Sequence, residues 1–96
     1  DEEDHFFSRI DEKTWLFDGK ILLTDFIKTT RSNELDFEDI KGDSETLAGL
    51  ILELKGAIPL LHEKIVYNQY TFTIEEADER RIKKIKVEID KNTDDE

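Results

Sequence analysis

The sequence predicts an α+β fold: a small mixed or antiparallel sheet of about five strands packed against two helices, its strands an N-terminal hairpin and a C-terminal meander. Three observations point there. Short aromatic and β-branched runs open the chain at HFFSRI and TWLF. The stretch ETLAGLILELKGAIP, Glu45 to Pro59, carries apolar residues at helical spacing. The remainder, KIVY, YTFTIEEA and RRIKKIKVEI, alternates as strands do.

Length and charge set the bounds. Ninety-six residues make one domain, 1–96, with a core over about 5–89 and charged tails at 1–4 and 90–96 that read as frayed ends. A chain of this size buries roughly 60–65% of its unfolded surface, enough for one modest core. Twenty-five acids against 14 bases give a net charge of −11. Such a balance argues against nucleic acid and against anionic lipid surfaces, both of which need a positive field. There are no cysteines, which excludes disulfides, thiolate zinc sites and cysteine nucleophiles. There is also no methionine, so Asp1 is not expected to be a native translation start, and the chain reads as a domain cut from a longer protein. No run of 18 apolar residues is present to span a membrane.

HFFSRI and TWLF pair across Asp11-Glu12-Lys13 as a hairpin. Asp18-Gly19 then turns the chain, with Gly19 supplying positive φ if the turn needs it. Thr24 is placed to cap a short helix with Asp25 in its first turn, and Leu23, Phe26, Ile27 and Thr30 share one face. Arg31 to Ser44 reads as a surface loop pinned by Leu35, Phe37 and Ile40.

Asp43 or Ser44 is expected to cap the second helix, whose Leu47, Leu50, Ile51 and Leu54 fall at i, i+3, i+4 and i+7. Gly56 suits a left-handed C-terminal position, and Pro59 forbids continuation. About 12 residues rise about 18 Å, well short of the ~30 Å bilayer core. Gly49 costs about 1 kcal/mol against alanine in a helix interior, and close approach of another backbone is the expected return.

Asn68-Gln69 joins KIVY to YTFTIEEA, in a loop of two residues or slightly more because glutamine suits its second position poorly. Tyr70, Phe72 and Ile74 point inward, with Thr71, Thr73 and Glu75 outward. Ile85, Val87 and Ile89 point inward on the final strand. Ile82 breaks strict alternation, so a bulge near Lys83-Lys84 is expected.

LFDG, a short helix, TLAGLILELKGAIP and a strand pair ending in ERRIKKIKVEI together resemble the transporter-associated domain of the CorC/HlyC family, from about Trp15 to Ile89. The matching positions are Thr46, Leu47, Ala48, Gly49, Gly56, Ile58 and Pro59, then Arg80, Arg81, Ile82, Ile85 and Val87. The sequence departs from the family pattern at Ser44 (an aromatic there), His62 (a glycine there) and Asn68-Gln69 (an Asp-Gly turn there). The resemblance implies a domain at the cytoplasmic end of a longer membrane protein, after a membrane domain and a CBS pair. The parents are associated with magnesium and cobalt efflux, and some are labelled haemolysins. The implied fold also resembles a subdomain of certain FAD-binding proteins, a likeness of architecture that carries no flavin site.

The implied role is a non-catalytic accessory or regulatory domain acting by interdomain or protein–protein packing, on the cytoplasmic face of the cell membrane. Its implied partners are the CBS pair and membrane domain of its own chain, with a second copy of the domain as a further candidate. No nucleic acid, no cofactor and no membrane insertion by this piece are expected. The alternative is a small-ligand sensor that binds an adenine nucleotide between helix and sheet.

The residues supply surface candidates. Arg80, Arg81, Lys83, Lys84 and Lys86 put five bases in seven residues, which reads as edge protection or as a dock for acidic groups. Trp15 and Phe17, with Phe6 and Phe7, offer an aromatic contact face. Asp36, Glu38, Asp39, Asp43 and Glu45 form an acidic run that a hard cation could use, although no EF-hand spacing is present and such runs are usually solvated. His5 and His62 stand alone, without ligand spacing. No nucleophile elbow, phosphate loop or facing carboxylate pair suggests an enzyme.

Overall fold

The structure, a computed structural model, describes residues 6–90. His5, the N-terminal tail and residues 91–96 of the C-terminal tail lie outside the described residues. Five strands form one antiparallel sheet: β1 (Phe7–Arg9), β2 (Thr14–Asp18), β3 (Lys64–Tyr67), β4 (Tyr70–Ala77) and β5 (Ile82–Ile89), in the order β1-β2-β5-β4-β3. Helices α1 (Leu23–Thr30) and α2 (Leu47–Lys55) lie between the hairpin and the meander in sequence, and a 3₁₀ turn spans Glu34–Phe37. The expected α+β architecture is therefore the one observed.

The core sits between one face of the sheet and the helices. Phe17, Phe26, Phe37, Leu47, Leu50, Ile51, Tyr70, Phe72, Ile74, Ile85 and Val87 are its fully buried side chains. Each Leu, Ile, Val or Phe among them contributes roughly 1.5–3 kcal/mol of transfer free energy. Aromatic rings run through it as a chain, from Phe17 to Phe26 (5.0 Å between centroids), then Phe37 (5.8 Å) and Tyr70 (4.9 Å). Edge-on and tilted contacts of this kind add to simple burial.

Helix starts differ from the sequence expectation. Neither Asp43 nor Ser44 caps α2: Thr46 does, accepting from the Gly49 amide at 3.1 Å. The two amides before it are filled by backbone, Leu47 donating to the Ile21 carbonyl at 2.9 Å and Ala48 to the Gly19 carbonyl at 3.1 Å. Thr24 does not cap α1, because Leu22 holds that position and the Leu23 amide donates to the Glu45 carbonyl at 2.9 Å. A single bridge, Leu22 to Thr46, thus braces both helix starts. Helix starts leave orphan amides that must find partners, and here another loop supplies them.

The glycines also act differently. Gly19 does not adopt positive φ. A Cβ there would collide with the Ile82 carbonyl oxygen and stand 3.1 Å from the Ala48 Cβ. The turn itself is made by Asp18, whose Oδ1 accepts from the Lys20 amide at 2.8 Å. Gly49 makes room for Ser44 and Thr46 side-chain atoms at 3.3 Å, not for another backbone. Gly56 is left-handed at φ 84°, as expected.

The strand readings are largely as drawn. Tyr67 pairs with Tyr70, so Asn68-Gln69 is a two-residue loop, with Asn68 at φ 53°. His62 takes φ 68° at the position where the family pattern has glycine. Ile82 and Ile85 both reach the core through irregular pairing: Glu75 is extra on β4, then Lys83 is extra on β5. Leu35 does not pin the loop. It is 70% exposed, while Phe37 is buried and Ile40 partly so. Thr73 points outward yet is only 5% exposed.

Candidate functional site

The proposed interaction residues do not form one patch. Phe17 is fully buried and belongs to the core, which removes it from the candidates. Trp15 remains partly exposed, facing Arg9 across the hairpin and Val87 across β5. The Arg9 guanidinium lies 5.0 Å from the Trp15 ring centroid. Its Nε donates to the Asp11 carbonyl and its Nη2 to the Glu12 carbonyl, both at 3.1 Å. Phe6 and Phe7 are about two-fifths exposed beside it.

The basic cluster stands at the centre of the sheet. β5 is last in sequence yet lies between β2 and β4, so its lysines protect no edge. Arg80 and Arg81 sit in the exposed turn before it, where Asp78 Oδ1 accepts both of their amides at 2.8 and 2.9 Å. Those amides hold the Asp78 carboxyl below its ordinary value. Lys83 faces Asp78 at 3.6 Å. Lys84 stands in register between Asp18 and Glu76, and opposite charges at paired positions are mildly favourable.

Lys86 belongs to the sheet face turned away from the helices. Across that face runs the row Lys64, Thr73, Lys86, Leu16, Ser8, and beside it the row Val66, Thr71, Glu88, Thr14. No described helix covers either row. Thr73 Oγ1 is buried there and has no hydrogen-bond partner among the described residues. A buried hydroxyl without a partner is costly.

The acidic run is not gathered into a metal site. Asp36 is committed elsewhere: its Oδ2 accepts from Tyr70 Oη at 3.0 Å, and its carbonyl from Tyr67 Oη at 3.0 Å. Burial pushes the Tyr70 hydroxyl up to about 12, and the Asp36 carboxylate acts in the same direction. Glu38 lies 3.8 Å from Lys41 on the surface, and Asp39 and Asp43 are exposed. Among the described residues no three His, Cys, Asp or Glu side chains group as a metal would require. His62 is an exposed turn residue whose amide donates to the Ile74 carbonyl at 2.6 Å.

Two surface features escaped sequence reasoning. Leu60 and Leu61 are exposed after Pro59, with Val66 exposed on edge strand β3. A crevice of about 370 Å³ opens between the end of α1 and the first hairpin, lined by Arg9, Glu12, Lys13, Trp15, Arg31 and Ile89 together with Thr29 and Thr30. The hairpin register alone pairs Arg9 with Trp15, and that part of the signal was available.

A two-helix layer on a five-stranded antiparallel sheet, with Thr46 capping α2 over the Gly19 turn, defines a small α+β domain. The family model for the transporter associated domain, CorC_HlyC, matches residues 8–91, and the chain belongs to that family. The transporter associated domain of a CBS domain protein from Porphyromonas gingivalis is 30% identical, with TM-score 0.81, covering 91% of this chain and 100% of that one. A Mg²⁺ and Co²⁺ transporter (CorC) associated region from Neisseria meningitidis MC58 shares the fold at 18% identity, TM-score 0.75, with coverage of 88% and 99%. So does the CorC_HlyC domain of a Xylella fastidiosa Temecula1 hemolysin in complex with Mg²⁺ and Mn²⁺, at 19% identity, TM-score 0.69, with coverage of 88% and 98%. A comparison with curated proteins finds no match. No helix among the described residues is long and apolar enough to cross a membrane.

Proposed function

We propose that this chain is a non-catalytic accessory and regulatory domain of a CorC/HlyC-type divalent-cation transport protein, held at the cytoplasmic face of the membrane. It works by packing its open sheet face on the rest of its own chain, a CBS pair and a membrane domain. One observation carries the reading: the helices cover one face of the sheet only, while the other holds the buried, unpartnered Thr73 Oγ1 between Lys64 and Lys86. Family membership and the CBS protein from Porphyromonas gingivalis support it. The Mg²⁺ and Mn²⁺ are said of the Xylella relative alone; among the described residues here no three His, Cys, Asp or Glu side chains group together.

The test uses the absence of cysteine in this chain. Lys86→Cys is introduced in the isolated domain and in the full-length parent stripped of its own cysteines. Maleimide labelling at position 86 should be fast in the domain and slow in the parent. Equal rates in both would sink packing through this face. The crevice beside Trp15 favours a second reading, a small-ligand sensor, and one domain can serve both purposes.

A further inference from the structure

We infer that the crevice between the end of α1 and the β1–β2 hairpin is a binding site for a small flat anion, an aromatic ring that carries a phosphate or a carboxylate. The inference deepens the sensor reading and is independent of packing through the opposite sheet face.

Charge is the first argument. Arg9, Lys13 and Arg31 line the crevice against a single acid, Glu12. Three bases less one acid leave a local charge of +2, on a chain whose net charge is −11. Solvation alone gives no reason to concentrate bases there. A pocket whose lining carries an excess of one sign of charge favours a ligand of the opposite sign.

Preorganisation is the second. The Asp11 and Glu12 carbonyls hold Arg9 in place and its guanidinium lies over Trp15, so little side-chain freedom is lost when its remaining N–H groups meet an anion. Because the protein's own guanidinium occupies the cation position over the indole, a cationic ligand is disfavoured. Arg31 is the left-handed residue that ends α1, at φ 57° and ψ 36°. Glycine or asparagine would adopt that conformation at lower cost, yet the sequence places a cation there.

Shape is the third. Trp15 and the buried Ile89 give the crevice an apolar wall, and the last turn of α1 closes one side. Its volume of about 370 Å³ suits one ring system with an anionic group.

Trp15 is the only tryptophan, so its emission reports on the crevice directly. The domain is titrated with AMP, benzoate, adenosine and inorganic phosphate. Saturable change with AMP, with benzoate or with both supports the site, and the pattern tells phosphate from carboxylate as the anionic group. Arg9→Gln and Arg31→Asn should each weaken the effective ligand about tenfold. Arg31→Asn keeps the left-handed turn, so it remains informative if Arg9→Gln disturbs the hairpin. Amide shifts in the unmodified domain should cluster at residues 9–15, 29–31 and 89. The idea is overturned by four results: no saturable response to either ring-bearing anion, equal response to phosphate alone, equal response to adenosine, or unchanged affinity in Arg31→Asn.

Discussion

The Gly19 carbonyl accepts the Ala48 amide at 3.1 Å, while the Gly19 amide donates to the Lys83 carbonyl at 2.9 Å. One residue therefore ties the end of β2 to the first turn of α2 and to the start of β5. The three segments that carry the family resemblance, LFDG, TLAG and RRI, meet at this point. Gly19→Ala should force the Ile82 backbone aside and cost about 1–3 kcal/mol or more. Gly56→Ala, with open space around it but φ 84°, should cost about 1–2 kcal/mol. Urea midpoints compare the two; a larger loss at Gly56 would mean that the Gly19 contact is easily relieved.

The start of α2 makes a second prediction. Thr46→Ala removes the only side-chain acceptor for the Gly49 amide and should lower stability by about 1 kcal/mol. Asp43→Ala should be close to neutral, as its side chain is exposed and makes no described hydrogen bond. Equal effects from the two in thermal melts would remove the distinction.

Burial separates two leucines that the sequence treats alike. Leu50→Asp places a carboxylate where the native side chain is fully buried, and the domain should not fold. Leu35→Asp at a 70% exposed position should stay within about 0.5 kcal/mol of the parent. A cooperative melt for Leu50→Asp, followed by circular dichroism, would contradict the core described here.

How far the sequence speaks can be read from these same residues. The α2 stripe, the alternation of β4, the two-residue Asn68-Gln69 loop and the irregularity at Lys83 are all local patterns, and period and turn chemistry reveal them. At the start of α2 the sequence does not single out the cap, because Asp43, Ser44 and Thr46 are all acceptable cap residues. What decides among them is the Gly19–Ile21 backbone, more than 20 residues away in sequence. The position of β5 was equally hidden: alternation marks a strand but says nothing of its neighbours, so lysines on a central strand look like edge lysines. For the crevice, the Arg9–Trp15 pair follows from the hairpin register, while Arg31 joins them only after α1 is laid over the sheet.

Alkaline pH tests the latch between the 3₁₀ turn and β4. The folded pKa of Tyr70, about 12, lies above its ordinary 10.0, so the folded state holds the proton more tightly than the unfolded chain. The resulting stability is fully present below pH 10 and is lost as pH rises from 10 to 12. Tyrosinate absorbance should show Tyr70 titrating late, together with a falling denaturant midpoint. Tyr70→Phe should lose about 1 kcal/mol at neutral pH, by removing the bond to Asp36, and should flatten most of the alkaline decline. An unchanged decline in that variant would assign the effect to other groups.

The lysines of β5 supply the last test, because their central position changes what replacement should do. Lys83 has Asp78 as a partner, Lys84 lies between Asp18 and Glu76, and Lys86 covers part of the face around Thr73. Exposed pairs of this kind contribute about 0–1 kcal/mol each. Replacing all three by alanine raises the net negative charge from 11 to 14 and leaves acids facing alanine on two neighbouring strands. The isolated domain should therefore lose about 1–2 kcal/mol at low ionic strength and recover part of it in salt, as screening weakens the repulsion left behind. Salt-dependent denaturation of the triple variant measures this. A loss that is both larger than about 3 kcal/mol and indifferent to salt would mean that the lysine stems hold the sheet by burial more than by charge.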